Sequence, residues 1–157
     1  MSSINFKSSG DRSTDAKFNR EVDPQPIGIK TPLRFGSGVS GIFDMHTDIG
    51  DQIQDNLKNL ILTNHGERLG IYNFGANLRE LTTERLAKDD FDSEVMKRIM
   101  TAVESYMPYI ELSSFESTFS DSPTIESIAE VSIKVFYSVP KLGLYNKGIE
   151  IILHCIG

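Results

Sequence analysis

The chain has no tryptophan, a single cysteine and no long apolar run, and its basic residues are outnumbered by acidic ones. Each shortage removes a class of protein. One cysteine, Cys155, leaves no partner for an intramolecular disulfide. With no closely spaced cysteine pair, and with the histidines dispersed at 46, 65 and 154, no zinc-type ligand spacing is present. The first 23 residues lack the apolar core of a signal peptide, and nothing approaches the length that crosses a bilayer. The expectation is a soluble chain in a reducing compartment. Against 22 Asp and Glu there are 16 Lys and Arg, a formal net charge of -6, and the cations form no stripe. That argues against nucleic acid or an anionic membrane as a partner. Gly36, Gly38 and Gly41 are dense, but no Gly-Lys-Ser/Thr follows, so no phosphate loop is expected.

What is present is enough for one ordinary domain. At 157 residues the chain can bury roughly two thirds of its unfolded surface without a metal or disulfide. Residues 1–23 are polar and read as an N-terminal arm; residues 24–157 read as one α+β domain. Pro24, Pro26 and Pro32, with the glycines after them, forbid a helix in the next stretch. A short strand at 27–29 is expected there, then turns anchored to a core by Leu33, Phe35, Val39, Ile42 and Phe43. Ile49, Ile53, Leu57, Leu60 and Ile61 recur at helical spacing, with Thr47 or Asp48 as cap and Gly66 as stop. A connector rich in glycine follows, in which Leu69, Ile71, Phe74 and Leu78 are expected to pack beneath the bends, with a short helix near 83–87. Phe91, Val95, Ile99, Ala102 or Val103, and Tyr106 mark a second helix, capped by Asp89 or Asp90 and closed by Pro108. The remainder alternates: Ile110 and Leu112; then Val131, Ile133, Val135, Tyr137 and Val139; then Ile149, Ile151, Leu153 and Cys155. Ser120 to Pro123 and Pro140 to Gly148 read as turns. Two helices on one face of a small, mostly antiparallel sheet, after a loop-rich N-terminal region, is the economical arrangement.

Catalytic chemistry finds little footing. His46 and His65 flank the first helix, about 25 Å apart by helical rise, and cannot share an ion within one chain. Cys155 and His154 are strand neighbours and point to opposite faces. Glycoside hydrolysis needs two carboxylates across a sugar cleft. The candidates are Glu67, Glu80 and Glu111; the chain has no tryptophan for sugar stacking, though Tyr72, Tyr106 and Tyr109 could substitute. An arginine beside Glu67 lowers a carboxylate pKa, whereas a general acid needs it raised. A structural ion pair or carbonyl clamp at Glu67 and Arg68 is the simpler reading. Lys97 and Arg98 read as a solvated helix face.

The connector carries a resemblance. Thr63-Asn64-His65-Gly66-Glu67-Arg68-Leu69, followed by Asn73-Phe74-Gly75-Ala76-Asn77-Leu78, resembles the baseplate wedge family of contractile-tailed phages, which has relatives in type VI secretion baseplates. The family's pattern is a helix ending in Leu-Thr, a Gly-Glu-Arg turn, then Phe-Gly and a leucine. Gly28 to Leu33 and the order of later elements also fit, so the likeness spans about residues 27 to 155. Glu67 and Arg68 match the turn pair; Phe74, Gly75 and Leu78 match the Phe-Gly-leucine element. A Glu-Pro-Arg motif after the second helix reads here as Met107-Pro108-Tyr109, so only the proline matches.

The resemblance implies a non-enzymatic subunit of a tail baseplate, assembled in the host cytoplasm. It implies contacts with the wedge core helical bundle, with tail sheath protein and with tube-proximal tail proteins, and no cofactor or metal. The final strand, through Ile149, Ile151 and Leu153, would template the first sheath ring by strand exchange. Members of the family carry a lysozyme-like label, so a peptidoglycan-cleaving enzyme with Glu67 as acid is the alternative.

Overall fold

In the computed structural model, which describes residues 25–36, 42–82, 88–121 and 128–156, two helices lie against one face of an antiparallel sheet. The chain divides into two units, Met1–Thr47 and Asp48–Gly157. The expected arm at 1–23 and the expected short helix at 83–87 lie outside the described residues.

In the first unit, strand β1 (Gly28–Ile29) pairs antiparallel with β2 (Met45–His46), and Phe35 bridges Phe43. The Phe35 and Phe43 rings stack at 6.4 Å. Within this unit Leu33, Phe35 and Ile42 are largely exposed, and Val39 lies outside the described residues. The backbone is held by cross-strand bonds such as Asp44 N to Arg34 O at 2.9 Å and Gly36 N to Ile42 O at 3.0 Å.

Helix α1 (Ile49–Leu62) begins where Asp48 accepts from the backbone N–H groups of Gly50 and Asp51 at 2.8 and 3.1 Å. That occupies two of the orphan donors of a helix start. Ile53, Leu57, Leu60 and Ile61 are buried as the spacing predicts, while Ile49 is left exposed at the first turn. The helix stops earlier than Gly66. Thr63 turns extended, donating its N–H to Asn59 O at 3.1 Å and its hydroxyl to the same carbonyl at 2.6 Å. A short helix α2 (Leu78–Leu81) follows the connector, and then helix α3 (Lys88–Tyr106). Phe91, Val95, Ile99, Ala102 and Val103 form the buried stripe of α3. Asp89 and Asp90, expected as caps, fall inside it.

Strands β3 (Glu111–Asp121), β4 (Ile128–Val139) and β5 (Leu144–Ile156) form a sheet in that order. Val131, Ile133, Val135, Tyr137 and Val139 are all buried, and Ile149 and Ile151 lie opposite Val135 and Ile133 on the same face. Each such aliphatic side chain stabilises the fold by about 1.5–3 kcal/mol. The outward set of β5 includes Ile152, which is exposed, so the second apolar row of that strand faces away from the helices. Strand β3 runs beyond the expected segment, taking in Ser120 and Asp121. A register shift between Leu112 and Ser114 inserts one extra residue, after which Phe115 and Ser117 pair with Val135 and Ile133. The inward parity of β3 therefore changes from even to odd numbers. The expected loop at 140–148 is shorter: a 3-10 turn (Pro140–Leu142) and Gly143 lead directly into β5.

Candidate functional site

The last carbonyls of any helix lack intrahelical partners. Here the returning connector supplies them. Ala76 N donates to Leu60 O at 3.2 Å, and Asn77 N to Thr63 O at 3.3 Å. To do so the chain passes so close to Thr63 that a Cβ on Gly75 would stand 2.1 Å from its carbonyl oxygen, and Gly75 itself has φ +110. Only glycine fits. Gly75 therefore acts on the backbone of α1, and Leu78 is buried in the core below it.

Within this closure Glu67 folds back on Asn64. One carboxylate oxygen accepts from the Asn64 backbone N–H and the other from its side-chain amide, both at 2.8 Å. These hydrogen bonds are the main cause that holds the Glu67 carboxyl below its ordinary value of 4.5, with a smaller push from Arg79. The expected direction is right, but Arg68 is not its source. Asn64 Oδ1 in turn accepts from Arg79 N at 3.1 Å, tying the turn to α2. Arg68 lies over the Phe74 ring, its Cζ 4.1 Å from the centroid, and Phe74 meets Tyr106 edge-on at 4.9 Å. So the turn pair is a carboxylate clamp and a cation–π stack, with no ion pair between its members.

This stack forms one wall of an open cleft of about 630 Å³. Glu67, Arg68, Phe74, Met107 and Tyr109 all line it. Residues forty positions apart in sequence are thus brought together, because α3 runs back along α1 and ends beside the connector. Partial burial raises the Tyr109 phenol above its usual value. Asn56, Asn59 and Thr63 complete the polar side of the cleft. Thr63 opens the connector motif, whereas Asn56 and Asn59 carry no motif, although their spacing places them on one stripe of α1. Tyr106, expected on the apolar face of α3 and weighed as a sugar-stacking ring, also lines the cleft.

The other candidates sit apart from the cleft. Pro108 is exposed at the turn after α3. Ile149 and Ile151 are buried beneath the helices, and Leu153 is partly buried. What β5 offers outward is its backbone: it pairs with β4 and forms a sheet edge among the described residues. Glu80 bonds Arg98 at 2.9 Å and Asn77 at 2.8 Å. Arg98 also reaches Asn77 O at 2.8 Å and Glu94 at 3.2 Å. The solvated-face reading of Arg98 is therefore corrected: this residue fastens α3 to α2. Glu67 is the only carboxylate lining the cleft among the described residues. No three His, Cys, Asp or Glu side chains converge to hold a metal ion among the described residues, and none of the described helices is long and apolar enough to cross a membrane.

The connector's apolar residues do not all pack beneath its bends. Leu69 is fully exposed, and Ile71 and Tyr72 are also outward. Gly66 N donating to Tyr72 O at 2.8 Å and Ile71 N to Arg68 O at 3.3 Å shape a tight tip that turns these side chains to solvent.

No family model matches the chain, and no curated protein matches it. Solved structures share its fold, two of them as follows. The crystal structure of a Geobacter sulfurreducens protein assigned as a tail lysozyme is 18% identical, with a TM-score of 0.52, covering 72% of this chain and 95% of that one. A chain of the six-fold symmetrised baseplate of the anti-feeding prophage is 13% identical, also with a TM-score of 0.52, covering 84% of this chain and 85% of that one. The α+β fold is thus one found in lysozyme-like and baseplate-associated tail proteins.

Proposed function

We propose that this chain is a non-enzymatic subunit of a contractile-tail baseplate wedge. In this reading the cleft beside α3 engages the helical bundle of the wedge, and the outer edge of β5 templates the first sheath ring by strand pairing. The protein works in the tail baseplate after assembly in the host cytoplasm. One observation carries the reading. The turn pair and the residues after α3 converge on a cleft whose single carboxylate is committed to Asn64. A glycosidase acid has its pKa raised and faces a second carboxylate; Glu67 has its pKa lowered and faces none within that cleft. Among the described residues no strand covers the outer edge of β5, and its main-chain donors and acceptors suit strand addition.

A second reading is peptidoglycan cleavage with Glu67 as acid. The comparisons taken alone favour it over sheath templating, because the Geobacter protein bears the lysozyme description and neither likeness bears on templating.

Two measurements separate these readings. The tagged chain is captured from cells expressing its complete structural gene cluster, and homogeneous protein is assayed on cell-wall glycan. Stoichiometric recovery of wedge or sheath proteins, with no glycan release, is the expected outcome. Glycan release that disappears in Glu67→Gln while the fold persists would overturn the structural reading.

A further inference from the structure

Two arginines bracket the connector, and they are used differently. Arg98 is committed within the fold, with Glu80, Glu94 and the Asn77 carbonyl all within 3.2 Å. Arg68 has no carboxylate within 4.0 Å among the described residues. Its neighbour Glu67 is turned to Asn64, each carboxylate oxygen accepting one hydrogen bond there. The guanidinium is nevertheless held in place, with one face on the Phe74 ring and Phe74 braced by Tyr106. Stacking occupies the plane of the group and leaves its in-plane N–H donors available. A positioned guanidinium opening on a cleft is a receptor for a planar carboxylate.

We propose that the cleft binds a partner protein through an Asp or Glu side chain that pairs with Arg68, flanked by an apolar residue that packs on the exposed ring of Tyr109. This rests on the reading of the cleft as a partner surface and supplies the chemistry of that partner. The surroundings select a carboxylate. Glu67, ionised and fully exposed beside Arg68, opposes a polyanion such as a phosphate and tolerates a single charge better. Arg, Tyr, Phe and Met grouped in one concave patch is the composition of protein interface cores. The overall charge of -6 makes a local cation the feature by which an acidic segment would find this face.

The probe is the dipeptide N-acetyl-Phe-Glu-amide, titrated at millimolar concentration into the full chain and followed by ¹⁵N NMR. Its Phe-Gln counterpart and a soluble muropeptide serve as controls. The expected result is a saturable shift of the Arg68 Nε–H signal and of the Phe74 and Tyr109 amides. Binding of the Gln dipeptide should be roughly tenfold weaker or worse. Arg68→Lys, which keeps the charge but loses the planar fork, should lose most of the response while signals elsewhere stay in place. Absence of a shift, an equal response to the Gln dipeptide, or an unchanged response in Arg68→Lys would each overturn the proposal. A response to the muropeptide alone would overturn it in favour of the glycan reading. Capture separates the two levels. If Arg68→Gln recovers wedge proteins at full yield, the carboxylate receptor falls and the subunit reading stands. If the unaltered chain recovers none, the subunit reading falls whatever the dipeptide does.

Discussion

Five residues of β4 that alternate in sequence, Val131 to Val139, are all at 2% exposure or less, whereas from Thr63 to Leu78 only Gly75, Ala76 and Leu78 are buried. The sheet is held by apolar area, which is tolerant in detail and cumulative. The connector is held by individual backbone bonds, by the Asn64–Glu67 and Asn77–Glu80 pairs, and by one position where no side chain fits. A region of the first kind loses stability in proportion to the volume removed. A region of the second kind is indifferent at most positions and intolerant at a few. The cleft belongs to the second kind, so the residues that shape it are not those that contribute most buried surface.

The largest effect should come from Gly75→Ala. The added methyl meets the Thr63 carbonyl, and the residue must also hold a positive φ, so the loss should be about 4 kcal/mol or more, read from denaturant unfolding. A loss under about 1 kcal/mol would mean the close approach is not rigid. Next is Ile133→Ala, which empties the centre of the sheet's inner face and should cost about 3 kcal/mol. If it costs more than Gly75→Ala, the contrast between the regions fails. Third is a pH effect. The Glu67 pKa is lowered on folding, so its stabilisation is complete at neutral pH and is lost as the pH falls from 4.5 through the lower folded value. Carboxyl-detected NMR titration should give Glu67 a midpoint below 4.5, and Asn64→Ala should move it back up. An unchanged midpoint in Asn64→Ala would assign the shift to another group. Smallest of all is Leu69→Ser, which should change stability by less than about 0.5 kcal/mol because that side chain touches nothing that folding buries.

The same contrast governs what could be read from the residues alone. Helical spacing identified Ile53, Leu57, Leu60 and Ile61, and alternation identified all five inward residues of β4, because periodic burial leaves a periodic trace. The β3 bulge broke that trace: one extra residue at Ser113 moves the inward set from Leu112 to Phe115, and nothing in a run of two serines signals it. Leu69 and Ile71 were expected inside because they are apolar, yet the turn's hydrogen bonds decide where they point. For the site, resemblance supplied Glu67, Arg68, Phe74, Met107 and Tyr109, and the structure gathers these five in one cleft. It could not supply their roles. Gly75 serves the end of α1, and Glu67 answers to Asn64 rather than to Arg68. Asn56, Asn59 and Thr63 were legible as a polar stripe on α1, but a stripe becomes a wall only when α3 and the connector are set beside it.

The approach of Gly75 to Thr63 has a further consequence. It draws the chain into a noose whose neck lies on the stub of α1 and whose bight carries residues 69 to 72, with Leu69 wholly in solvent. The tip can therefore be rewritten, Leu69 first, without the rest of the molecule registering the change, while a single carbon added at the neck is felt throughout. Such a chain can change what it touches at the bight as often as its surroundings demand, provided the neck stays drawn tight.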